Sequence, residues 1–210
     1  MKVKNIFILA AMSLTLASCS DLFEPAEENN RGLNEIYNEP TYAQGLLGYG
    51  YAMLPYNTKS VTDIATDDAV SNDLTNSFLK MATGSWTANS DPMSRWTNGR
   101  ASIQYLNIFL QEVDKVNWAK DENARKMYCD SRKGEAYALR ALNLYYLLMN
   151  HGGWTADGKL LGVPNLTEPE SSTDDFNKPR NTFQECLDQI YSDLDQAAKL
   201  LPLDYNDLTN

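Results

Sequence analysis

The chain is 210 residues long, with 18 Lys and Arg against 28 Asp and Glu, a single histidine and a formal charge of −10. That balance excludes a nucleic-acid partner, because such a surface repels phosphate and gains nothing from counterion release. A hydrophobic content of 43% with 10% aromatic residues excludes a disordered chain and suffices for one domain with a real core.

Lys2 and Lys4 precede an apolar run from Ile6 to Ala17, interrupted only by Ser13 and Thr15, and then the junction Leu16-Ala17-Ser18-Cys19. This is the layout of a secretory leader. About a dozen apolar residues are too few for a membrane span, which takes about 20. The cysteine directly after Leu-Ala-Ser resembles the bacterial lipobox, which implies cleavage before Cys19 and lipid on its thiol. Residues 1–18 are therefore read as a lipoprotein signal peptide, and their removal leaves 16 basic against 28 acidic residues, a charge of −12. Each buried methylene of the lipid contributes about 0.8 kcal/mol, so several chains hold the protein firmly.

Residues 19–40 are polar and acidic, carry Pro25 and Pro40, and read as a tether. The helical body is expected over 41–210. A first helix starts near Thr41 and carries Leu46, Leu47, Met53 and Leu54 before Pro55 stops it. Gly45, Gly48 and Gly50 make it intrinsically weak. Residues 56–95 are dominated by Thr, Ser, Asn and Asp and read as long loops. Asp63, Asp67 and Asp68 lie here without the alternating pattern of a calcium loop, so a solvated acidic loop is preferred to a metal site.

Ile103, Leu106, Leu110 and Val113 recur at helical spacing and predict a second helix over 97–118. The third, 122–150, is apolar on more than one face, as expected of a helix buried between neighbours, and Gly152-Gly153 supplies its stop. Residues 154–180 read as a surface connection with a short extended piece at 160–164. Thr182-Phe-Gln-Glu185 is a capping box opening the last helix, with Phe183, Leu187, Ile190, Leu194, Ala197 and Leu201 on one face and Pro202 after it. Four helices in a line predict an all-α array of antiparallel pairs. Cys129 and Cys186 both fall in helices, which leaves a disulfide and two separately buried thiols as alternatives.

The run Arg132-Lys-Gly-Glu-Ala-Tyr-Ala-Leu-Arg-Ala-Leu…Gly-Gly153 resembles the GEA-x-x-LRA…Y…GG helix of SusD/RagB-type nutrient-binding lipoproteins. Three further pieces agree in order: Trp96 with Tyr105-Leu-Asn107, Gly162-Val-Pro164, and Arg180-Asn-Thr…Ile190-Tyr-Ser-Asp-Leu194…Leu201-Pro202. The resemblance implies a tetratricopeptide-like helix array with long loops, displayed on the outer membrane of a Bacteroidetes-type bacterium. It further implies an oligosaccharide ligand and a partner TonB-dependent transporter, with no cofactor. The family's chains are usually much longer, so this one reads as truncated after the N-terminal domain. Residues 154–161 read as an insertion.

A sugar site needs an aromatic platform with a polar rim, because pyranose faces are apolar while their hydroxyls want directed hydrogen bonds. Trp86, in the polar loop, suits such a platform, although a loop tryptophan packs under its own loop more often than not. Trp96 matches a family position where core packing is expected, and Trp154 in the insertion is a candidate on exposure. Glu135 and Arg140 lie five apart, so each is expected to find a different, structural partner. His151 is the only histidine, which excludes metal sites built from several and confines any Ser-His-Asp triad to this position. Its place at a helix C-terminus favours a partly charged imidazole. No G-x-S-x-G, P-loop or H-E-x-x-H motif occurs, and the expectation is a non-enzymatic glycan-binding lipoprotein. The alternative is a helical lipoprotein that docks only protein partners.

Overall fold

Pro40 opens the first helix at the one place where a missing N–H costs no hydrogen bond. The computed structural model describes residues 37–55 and 62–204, so the expected signal peptide, Cys19 and most of the expected tether lie outside the described residues. The elements are α1 (Pro40–Ala52), a 3-10 turn (Thr62–Ala65), α2 (Leu79–Ala82), α3 (Trp96–Glu112), α4 (Glu122–His151), β1 (Gly153–Trp154), β2 (Leu160–Leu161) and α5 (Phe183–Leu200). The fold is all-α apart from the two-residue strands. No helix among the described residues is long and apolar enough to cross a membrane.

The expected second helix ends earlier than its apolar spacing suggested. After α3 a 3-10 turn, Val113–Lys115, leads into extended backbone at Val116. Trp118 then folds back, donating its indole N–H to Val113 O at 3.0 Å and standing edge-on to Phe109. The Asp121 side chain caps α4 by accepting the Ala124 N–H. At the far end Gly152 is extended, not left-handed, and passes the chain directly into β1.

The segment expected to be an insertion, 154–161, lies in a β-hairpin, with Gly153 opposite Leu161 and Trp154 opposite Leu160. Residues beyond it are less superficial than the turn-rich composition suggested, because Val163 and Leu166 are buried. Asn107 Nδ2 donates to Leu166 O and Glu168 O, strapping this segment across α3. The capping box of α5 is present in both directions between Thr182 and Glu185.

Neighbouring helices alternate in direction. Arg95, before α3, bonds His151 at the end of α4, while Lys133 in the first half of α4 reaches Asp114 just past α3. Leu201, after α5, packs on Gly134 of α4. Two apolar clusters result. Leu47, Leu106, Phe109, Val113 and Leu139 join α1, α3 and α4, whereas Ile103, Leu144, Leu147, Val163 and Ile190 join α3, α4 and α5. Cys129 belongs to the first and Cys186 to the second, and both are free, which decides for two separately buried thiols.

Two apolar faces are more open than expected. Leu142, Tyr145 and Met149 of α4 are 37%, 44% and 62% exposed, so the long helix is not covered all round. On α5 the buried positions are Cys186, Ile190, Asp193 and Ala197, and Leu194 is exposed. The inward face is rotated from the apolar stripe because a carboxylate, Asp193, occupies it.

That carboxylate explains how the separated motif pieces meet. Arg140 of α4 donates from Nε and Nη2 to the two oxygens of Asp193, at 2.8 and 2.6 Å. Its Nη1 reaches Asn107 Oδ1 of α3 at 2.8 Å and Thr167 O at 3.2 Å. Glu135 takes other partners, Arg132 and the Tyr51 hydroxyl, as its spacing from Arg140 predicted. A Cβ on Gly134 would lie 2.8 Å from Leu201 Cγ, so the glycine admits the residues that end α5.

Candidate functional site

The alternating directions bring the start of α3, the end of α4 and the β-hairpin to one end of the array. Three side-chain features gather there: the Trp96 ring, the His151 imidazole and the hairpin indole of Trp154.

Trp96 is the first residue of α3 and is 43% exposed. The core-packing expectation is therefore corrected: the ring lies outside the last core layer of α3, which begins at Gly99 and Ser102. His151 meets it edge-on, with ring centroids 5.4 Å apart, and the Arg100 guanidinium lies 5.4 Å from the ring centre. Arg100 is itself held by Glu170 at 3.2 Å.

His151 Nε2 accepts the backbone N–H of Arg95 at 3.2 Å, which requires that nitrogen to be unprotonated. Burial lowers the affinity of the ring for a proton below its ordinary 6.5, Asp91 opposes this and Arg180 adds to it. The partly charged imidazole expected from the helix terminus is thus corrected to a neutral acceptor. The dipole effect of a helix end, typically 0.3–1 kcal/mol, is outweighed by desolvation and a hydrogen bond that only the neutral ring makes.

Trp154, three residues beyond His151, is 74% exposed on β1. Trp86 is 52% exposed in the loop between α2 and α3, next to the Thr87–Ser90 bridge, and is not packed beneath its own loop. Among the described residues no ring contact joins any two of these three tryptophans. A cavity of about 240 Å³ opens beside Trp96, lined by Phe78, Met93, Ser94, Arg95, Tyr146 and Met149 among others. The sequence reading missed Arg95, Tyr146 and Met149. They come from segments about fifty residues apart, and only the antiparallel packing of α3 on α4 unites them.

No group of three or more His, Cys, Asp or Glu among the described residues is placed to hold a metal ion. Thr66 turns its hydroxyl onto Asp63 O and accepts the Asp68 N–H, which organises the acidic loop from within.

The class these features define is an all-α helix array with an aromatic, polar-rimmed end. Residues 33–210 match the SusD-like family described as "Starch-binding associating with outer membrane". The chain belongs to this SusD-like family. It is 34% identical over 113 residues to a SusD-like protein of Formosa agariphila, an alignment covering 52% of this chain and 21% of that relative. Among solved structures it is similar to a Bacteroides vulgatus protein named for sugar binding, with TM-score 0.61 and 28% identity over 80% of this chain and 38% of the other. It shares the fold of a SusD-like protein from Bacteroides fragilis, with TM-score 0.61 and 19% identity over 84% of this chain and 33% of that one. The matches therefore span well under half of each relative's length.

Proposed function

We propose that the protein is an outer-membrane surface lipoprotein that captures an oligosaccharide without cleaving it and passes it to a TonB-dependent transporter. In this reading residues 1–18 are the leader, Cys19 carries the lipid, 19–40 form the tether and 41–210 are a tetratricopeptide-like helical domain. The observation that carries it is the exposed indole of Trp96, next in sequence to Arg95 on the cavity wall, with a second exposed indole, Trp154, on the hairpin that follows His151. Pyranose faces stack on such rings while their hydroxyls take the polar rim. Trp86, exposed in the loop before α3, is a third candidate platform. Family membership and the resemblance to a protein named for sugar binding support the assignment.

The second reading, a helical array that docks only protein partners, draws on the apolar groove of about 300 Å³ between α4 and α5, lined by Leu142, Tyr145, Tyr191 and Leu194. Affinity electrophoresis against a broad panel of polysaccharides decides between the two. Retardation on at least one polysaccharide, reduced in Trp96→Ala and Trp154→Ala, is expected. Retardation on none, or release of reducing sugar from a bound polysaccharide, would overturn the proposal. The anchor is tested separately: Cys19→Ala should move the protein out of the membrane fraction.

A further inference from the structure

Four of the described arginines, Arg100, Arg125, Arg132 and Arg140, each face a carboxylate. Among the described residues Arg95 and Arg180 do not, and both stand at His151. Arg180 is occupied by backbone: its Nε donates to Gly162 O at 2.7 Å and its Nη2 to His151 O and Leu161 O, each at 3.0 Å. Arg95 is less engaged. Its Nη2 donates to Met53 O at 2.5 Å, while its Nε is buried without a partner.

Met53 O and His151 O belong to the C-terminal ends of α1 and α4, where helix dipoles supply about half a negative charge each. These carbonyls stabilise each guanidinium without neutralising it, so both keep their full positive charge. Nearby, Lys80 Nζ is held by a neutral partner, Ser90 Oγ, at 2.7 Å. Asp91 is the carboxylate that acts on His151, and Arg180 acts on the ring in the opposite sense. Arg95, Arg180 and Lys80 thus bring three cations held by neutral partners to this end of a chain of net charge −10. Arg95 brings its positive charge to the wall of the cavity beside Trp96, among Phe78, Met93 and Met149, where apolar neighbours strengthen any ion pair.

We propose that this end takes an acidic oligosaccharide, whose carboxylate pairs with Arg95 while its sugar rings lie along Trp96. This rests on the glycan-binding reading above and narrows it to one ligand chemistry. The planar guanidinium is the group that matches a carboxylate, and a neutral glycan leaves its charge uncompensated.

The test titrates the full chain with oligosaccharides from galacturonate, glucuronate and mannuronate polymers, each beside its methyl ester, which keeps the sugar and removes the charge. A sulfated oligosaccharide is the further arm, and all are measured in about 50 and about 300 mM salt. The acid form of at least one polymer should bind about tenfold or more tighter than its ester, with the difference shrinking in high salt. Arg95→Gln should erase the preference and Arg95→Lys retain part of it, in variants whose melting shows them folded. The salt and ester comparisons on the unaltered protein stand even if a variant fails to fold. Equal binding of acid and ester, or a preference that survives Arg95→Gln, overturns this inference alone. Preference for sulfate over every carboxylate overturns the carboxylate assignment. Binding of no glycan overturns the inference together with the glycan reading.

Discussion

Arg140 and Asp193, 53 residues apart in sequence, form a two-point ion pair in which the side chains are only 7% and 2% exposed. Gln189 adds a third donor to Asp193 at 3.0 Å, and Asn107 ties the guanidinium to α3. The pair joins three helices at one point. Removing one member leaves a buried charge uncompensated, which costs about 3–5 kcal/mol, whereas apolar replacement of both is much milder. Asp193→Ala should therefore lower the unfolding free energy by that amount, read from urea unfolding, and Arg140→Met with Asp193→Leu should recover part of the loss. A cost under about 1 kcal/mol for Asp193→Ala would mean that the pair behaves as a surface contact.

Two glycine-to-alanine changes should move stability in opposite directions. A Cβ on Gly162 would fall 2.3 Å from Cys186 Sγ, inside the second core cluster, so Gly162→Ala overpacks it at about 1–3 kcal/mol. Gly48, on the exposed side of α1, meets nothing within 4 Å. There alanine gains helix propensity, and Gly48→Ala should stabilise by up to about 1 kcal/mol. Parallel thermal melts of the two variants check both signs.

The contrast between those glycines also shows what was legible beforehand. The start of α1 at Pro40, the capping box at Thr182 and the course of α4 follow from local rules, and they stand in the structure as the residues predict. The rotation of the buried face of α5 does not, because apolar periodicity assigns carboxylates to solvent and Asp193 is buried only through Arg140. The cavity wall was equally hidden. Arg95 and Tyr146 carry no signal of proximity until α3 and α4 are packed antiparallel. Trp96 was visible as a motif residue, but its exposure depends on where the core layers of α3 begin.

The two thiols should be slow to react in the folded protein. Burial pushes the Cys129 thiol up to about 11, and its hydrogen bond to Asp114 acts in the same direction. Burial also raises Cys186, whose sulfur sits against the backbone of Val163. Without reductant, alkylation under native conditions should leave both unmodified, and alkylation after unfolding should label both. A disulfide-linked peptide containing Cys129 and Cys186 would contradict the placement of the two residues in separate clusters.

Acid should loosen the aromatic end before it unfolds the rest. His151 is held neutral, with its proton affinity in the folded state below the ordinary 6.5. Between the folded value and 6.5 the unfolded chain binds more protons than the folded one, so stability falls as the pH drops through this window. Above 6.5 the contribution is fully present. Protonation also removes the acceptor of the Arg95 N–H and places a cation next to Arg180, which disturbs the ring against which Trp96 rests. Trp96 fluorescence, isolated in a background where the other tryptophans are phenylalanine, should therefore change as pH falls from about 7 to about 5. His151→Gln keeps an acceptor but no titrating ring, and should flatten both this change and the stability slope over the same range. A slope that persists in His151→Gln would assign the effect to the carboxylates instead, since those titrate lower and their contribution does not depend on the imidazole.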